Sequence, residues 1–247
     1  MPSTSGDGKN ANLVAQLETE SLADKAAEFK TTNNDDTIGW IRIPNTNVDY
    51  PVVYKAGVEN YAYYESKGYD KQYSKDGVIW ADYECTFPEL SQNTTLYGHN
   101  WHNIYTPRTQ ANMQANDLMF SLVMSYNYTD FAQENPFIYF STTEQDYVFQ
   151  VFASYYTDLN FGYNYAQMSQ EDFQKVIAEA KAKSLSNYNV PVTSEDKIVT
   201  LSTCTRVHGN TNNQRFVVMA KLVPVGTPST TISTHSNPIA YNSSIDA

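Results

Sequence analysis

The chain has 247 residues, enough to bury a substantial core as one large domain or two small ones. Hydrophobic residues make up 41% and aromatic residues 14%, with 20 tyrosines, which excludes a disordered chain and leans toward β structure. The formal charge of −11 argues against a nucleic-acid groove, and two cysteines, Cys85 and Cys204, cannot build a disulfide framework.

Residues 1–11 are small and polar and read as a disordered linker. Residues 12–30 read as an amphipathic helix, with Leu13, Leu17, Ala26 and Phe29 on one broad face. Residues 33–36 break it. Strands follow at 37–43, closed by Pro44, and at 51–54. The tyrosine-rich stretch 60–73 has no clear period. Short strands come next at 78–80 and 94–98, and the second delivers His99 at its end. Residues 113–124 read as a helix. Residues 137–141 and 147–156 read as a hairpin around 142–146. Ser169 and Asp172 form a capping-box pattern, and Phe173, Val176, Ile177 and Ala180 continue with helical spacing.

Residues 197–223 carry the chemistry. Alternating β-formers run to Cys204, a loop rich in Gly and Asn covers 209–213, and a second β run starts at Arg215. Beyond 225 the chain is rich in Ser, Thr and Asn and has little to bury, so 225–247 reads as a polar tail. No apolar run is long enough to span a bilayer, and no secretory signal is legible. The sum is a mostly β chain with a few helices, one domain over 12–224.

A thiol at a strand end can face a groove while the sheet holds its backbone still. A cation nearby supplies the thiolate character that a cysteine nucleophile needs. Arg215 opens the next strand and Arg206 follows Cys204 by two residues, so the two compete for that role. Read by residue type alone, Cys204 is equally a buried, inert core cysteine. Of the four histidines, His99 stands where a strand leaves the sheet. His235 lies in the polar tail and reads as solvated, and His208 lies in the loop after Cys204.

These motifs together resemble those of a known family. T-L-S-T-C at 200–204 followed by Arg215 at the head of R-F-V-V-M-A-K-L resembles the active-site signature of sortases. L-Y-G-H-N at 96–100 resembles their histidine motif. I-G-W-I-R-I-P at 38–44 and V-D-Y-P-V-V at 48–53 are similar to class B sortases in particular, and the likeness covers roughly residues 12–223. The resemblance implies a closed β-barrel of about eight strands, with a helix at the N-terminus and another before the cysteine strand. It implies a cysteine transpeptidase on the outer face of a Gram-positive-type cell membrane, attached through an N-terminal anchor that lies outside this sequence. Such an enzyme cuts the C-terminal sorting signal of a surface protein or pilin after threonine. It joins the new carboxyl end to a cell-wall precursor amine or a pilin lysine, without metal or other cofactor. Carried onto this chain, Cys204 is the nucleophile, His99 the general acid/base and Arg215 the oxyanion or substrate-orienting group. Ser202, Asn60 and Tyr64 fall where class B enzymes line the substrate groove.

Thr205-Arg206 departs from the acidic or aromatic residues the family often has there, and the tail from 225 has no family counterpart. Three rival readings stay open. A papain-like hydrolase has its cysteine before its histidine, the reverse of this order. A metal site from His99, His102, Cys204 and His208 lacks paired-cysteine motifs. A non-catalytic surface β module would leave the thiol structural.

Overall fold

The computed structural model describes residues 13–239. Eight strands close into a barrel in the order β1 (Thr37–Arg42), β2 (Asp49–Val53), β3 (Ile79–Ala81), β4 (Asn93–Tyr97), β8 (Ile198–Cys204), β9 (Gln214–Val223), β6 (Asp146–Asp158) and β5 (Phe137–Thr142). The β1–β5 pairing makes the closure. Closure leaves no open sheet edge. It depends on Gly39, because a Cβ there would sit 1.9 Å from the Ser141 carbonyl oxygen of β5. Most pairs are antiparallel, but β2–β3 and β4–β8 are parallel. The β4–β8 pair bears on the chemistry, since parallel neighbours leave the barrel at the same rim.

The core fills the barrel with Ile41, Leu96, Phe140, Phe149, Phe152, Leu201, Phe216 and Val218, all essentially inaccessible. Strand β6 is buried along nearly its whole length because both its faces are covered. One face looks into the barrel. The other lies under helix α3 (Gln170–Lys183), which buries Phe173, Ile177 and Ala180. The capping signal holds: Ser169 Oγ accepts from the Asp172 N–H at 3.1 Å. Such a cap stabilises a helix by about 1 kcal/mol.

Three expectations are corrected. Helix α1 spans Leu22–Thr32, not 12–30. Ser21 caps it by accepting from the Asp24 N–H, and residues 13–20 run extended against the C-terminal segment. There the Ala15 N–H donates to Thr227 O and the Gly226 N–H donates to Ala15 O, both at 2.8 Å. Leu13 and Leu17 remain exposed, so of the face inferred from spacing only the part within α1 is covered, with Ala26 buried and Phe29 half-buried. Residues 113–124 do not form an α-helix. Short 3-10 turns at Gln110–Asn112 and Ser121–Asn127 stand there, followed by α2 (Thr129–Glu134). Met119 has φ +52, which interrupts any helix, and Ser121 through Tyr126 are all buried, so no exposed face exists to give a helical stripe. The segment from 225 is not without burial. β10 (Ile232–Thr234) pairs with β7 (Ser186–Tyr188) and buries Ile232. His235 is half-buried with Nδ1 2.7 Å from Ser184 O, rather than solvated. The linker expected at 1–11 and the end of the tail at 240–247 lie outside the described residues.

Candidate active site

The register of the sheet brings the three predicted side chains together. β4 pairs with β8 in parallel from Asn93↔Ile198 to Tyr97↔Ser202, a constant offset of 105 (198 − 93 = 202 − 97 = 105). The pairing continues one step further, with the Gly98 N–H donating to Ser202 O at 3.3 Å and Thr203 Oγ1 donating to Gly98 O at 2.7 Å. The same offset carries His99 to position 204. On the other side of β8, Cys204 is the direct partner of Arg215 at the start of antiparallel β9. Imidazole, thiol and guanidinium therefore stand on three neighbouring strand ends. With strands about 4.8 Å apart, their backbones lie within about 10 Å of one another.

All three line one cleft of ≈ 340 Å³ at this rim. Its other walls come from the turn at residues 61–65, from Trp80, Asp82 and Tyr97 of the β3–β4 side, and from Leu159, Tyr163 and Asn164 beyond β6. Cys204 and His99 are half-buried, so both are reachable from solvent. Cys85, by contrast, is 2% exposed, and burial pushes its thiol up to about 12. Both cysteines are free.

Arg215 and Arg206 separate clearly. Strand β8 ends at Cys204, so alternation no longer keeps Arg206 on the thiol's face. Its guanidinium clamps the following loop instead, donating from Nη1 to Thr211 O and from Nη2 to Asn212 Oδ1. Arg215 lines the cleft and is steadied through Nη1 by the carbonyls of Asn212 and Gln214, both at 2.9 Å. A guanidinium has five N–H donors in a rigid fork, so this anchoring is compatible with presenting others to a ligand.

The loops behind the three residues are pinned to one another. Asn100 Nδ2 donates to Cys204 O at 3.3 Å, tying the residue after His99 to the backbone of the thiol. The Arg206 N–H donates to Ile104 O at 2.7 Å. His99 Nε2 lies 2.6 Å from the Glu65 carbonyl oxygen.

Ser202 lines the cleft as expected, with its hydroxyl 2.8 Å from that of Tyr163. Burial raises the Tyr163 phenol above its ordinary range. Asn60 and Tyr64 do not line the cleft. Tyr64 is 1% exposed and packs on Val53 and Val78, while its hydroxyl donates to Asp36 and accepts from Asn34. Asn60 turns back on its own backbone, donating to Ala56 O at 2.7 Å. The segment is a run of tight turns, in which a one-residue step rotates a side chain by roughly 100–120°. Tyr61 and Glu65, one position on from each, face the cleft instead.

Sequence reasoning missed the polar wall. Tyr97 donates to Asp82 Oδ2 at 2.7 Å and accepts from Asn164 Nδ2 at 3.0 Å. Burial raises the Asp82 carboxyl above its ordinary range. Tyr97 could have been found, because it lies two residues before His99 and so shares its face. Tyr163 and Asn164 sit in an irregular loop with no pattern to read.

Comparison with known proteins gives the family of the chain. A sortase domain model matches residues 41–223. Sortase B of Staphylococcus aureus (strain NCTC 8325 / PS 47) is 31% identical over 193 residues, covering 78% of this chain and 72% of that protein. Sortase B of Listeria monocytogenes serovar 1/2a is 29% identical over 191 residues, covering 77% and 71%. A structure of the Staphylococcus aureus sortase B-substrate complex superposes with a TM-score of 0.69 at 28% identity, covering 84% of this chain and 88% of that one. With its closed eight-stranded barrel and this cleft, the chain belongs to the sortase family, among the class B cysteine transpeptidases.

Proposed function

We propose that this chain cleaves a C-terminal sorting signal after threonine through a thioester on Cys204 and transfers the protein to a cell-wall or pilin amine. The observation that carries the reading is the shared register of His99, Cys204 and Arg215 on three adjacent strand ends at one cleft. The thiolate of Cys204 attacks the carbonyl after threonine and forms the thioester as the C–N bond breaks. Arg215 faces the carbonyl oxygen as it gains charge. His99 protonates the departing amine and then takes a proton from the incoming one, the two-way role of a general acid/base. Ser202, with Tyr163 behind it, shapes the wall beside the scissile bond.

The cleft walls suit an extended peptide. Tyr61 and Leu159 offer exposed apolar surface, and the Asp82–Tyr97–Asn164 network offers polar partners. The chain acts at the outer face of the cell membrane, held by an N-terminal anchor outside the described residues. Among the described residues no helix is long and apolar enough to cross a membrane.

The test is incubation with a panel of sorting-signal peptides, with and without amine acceptors, read by mass spectrometry. A peptide–amine product that disappears in Cys204→Ala is expected. Hydrolysis alone under every acceptor would place the chain with the cysteine hydrolases, and undiminished transfer by Cys204→Ala would end the thioester assignment.

A further inference from the structure

We infer that the segment 65–77, together with Trp101, fixes both the ring position and the tautomer of His99, so that Nδ1 is the nitrogen that exchanges protons during acyl transfer. This deepens the function proposed above and rests on it. A backbone carbonyl has no proton to donate. The 2.6 Å contact between His99 Nε2 and Glu65 O therefore requires a hydrogen on Nε2. That hydrogen is present in the neutral ring and in the imidazolium alike. The neutral ring then keeps its lone pair on Nδ1, and Nδ1 alone gains and loses a proton.

The surroundings hold the ring in this pose. Gly77 walls the same edge: its φ is +59, and a Cβ there would fall 2.9 Å from His99 Cδ2 and 2.9 Å from Glu65 O. Glycine is the residue that combines this backbone conformation with so close an approach. Two indoles flank the ring, Trp80 at 5.7 Å and Trp101 at 5.0 Å between centroids, the latter tilted by only 33°. Trp101 is 50% exposed, yet its Nε1–H donates to Lys75 O at 2.9 Å. Glu65, Lys75 and Gly77 all belong to the stretch preceding β3, so one segment supplies the carbonyl, the anchor for the indole and the wall.

Proton movements balance with Nε2–H untouched. As the C–N bond of the sorting signal breaks, the proton on Nδ1 goes to the departing amine. As the incoming amine bonds to the thioester carbon and the C–S bond breaks, one amine proton goes to Nδ1. Gly77 and Trp101 are positioning residues, since neither touches the reacting atoms.

Nitrogen-15 NMR of histidine-labelled Cys204→Ala protein tests this directly, with the His99 signals assigned by their loss on adding His99→Gln. The expected neutral form has a protonated Nε2 and an unprotonated Nδ1. A neutral ring protonated on Nδ1 overturns the inference. Gly77→Ala is expected to lower kcat by on the order of 10²-fold with KM for the peptide little changed, because it displaces the ring. Because the strained φ can impair folding of that variant, Trp101 provides a second test. Trp101→Ala is expected to lose about tenfold in kcat, while Trp101→Phe, which keeps an aromatic ring but not the N–H anchor, recovers only part of it. Wild-type rates in folded Gly77→Ala, or equal wild-type rates in both Trp101 variants, overturn the clamp while leaving the thioester chemistry standing. Full transfer by Cys204→Ala would instead remove that chemistry and the inference with it.

Discussion

The two thiols provide a sharp test, because the fold treats them oppositely. Cys85, in the β3–β4 connection, is 2% exposed, and its Sγ lies 4.0 Å from Asn93 O. Burial pushes it up to about 12, against about 8.5 for an ordinary thiol. Each unit is a tenfold change in thiolate fraction, so Cys85 carries on the order of 10³-fold less thiolate than an ordinary cysteine near neutral pH. The thiolate is the species that reacts, and wrapping by the core slows access further. Cys204, half-exposed at the cleft, is reachable by a reagent from solvent. A mild aromatic disulfide reagent in native buffer is expected to label one equivalent per chain quickly. The second equivalent appears only on unfolding. The fast phase is expected to vanish in Cys204→Ser and persist in Cys85→Ala, which also keeps most of its transfer activity. Two fast equivalents in the native protein, or a fast phase that survives Cys204→Ser, would refute the burial argument.

The remaining predictions concern the cations, the acid limb and the helix cap. Arg215→Ala is expected to lose about 10²–10³ in transfer kcat, the usual effect of removing one donor to a developing oxyanion. Arg206→Ala, whose guanidinium only clamps its own loop, loses far less, and steady-state kinetics on one peptide orders the two. At Asp36, burial acts to raise the carboxyl, but the Tyr64 hydroxyl and the ammonium groups of Lys71 and Lys55 outweigh it and hold it below its ordinary value. A depressed carboxyl stabilises the fold above the unfolded value of about 3.9, and the contribution fades as pH falls through the folded value. Thermal melts at about pH 7 and about pH 3 should therefore show wild type losing more Tm on acidification than Asp36→Asn; equal losses would contradict the assignment. Ser169→Ala removes the acceptor of the Asp172 N–H at α3 and is expected to cost about 1 kcal/mol in urea unfolding, with transfer activity unchanged in native buffer.

Several features of this protein are local, and local features can be read from a chain of letters. The capping residues Ser169 and Asp172, the alternation through Leu201 to Cys204 and the polar loop before Arg215 all rest on interactions within a few residues. Their positions in the structure match the reading. The motif around 96–100 and the one around 200–204 could be matched to a family because each is a short run of specific residues, legible without the fold. The helix expected at 12–30 failed for the complementary reason. Its first residues are taken up by a C-terminal segment more than 200 residues away (226 − 15 = 211), which bonds the backbone of residue 15 and leaves the helix to start after Ser21.

What the sequence by itself determined is which side chains are candidates: a thiol, an imidazole and a guanidinium at the ends of β segments. Only the tertiary structure decided that they line one cleft, through the parallel β4–β8 register that sets residue 99 beside residue 204 and the antiparallel partner that sets 215 on the other side. It also decided which arginine faces the cleft, which of Asn60, Tyr61, Tyr64 and Glu65 line it, and which carbonyl holds His99. Those outcomes depend on contacts between residues far apart in the chain, and a strand's pairing partner or a turn's rotation leaves no mark on the local pattern of its own residues.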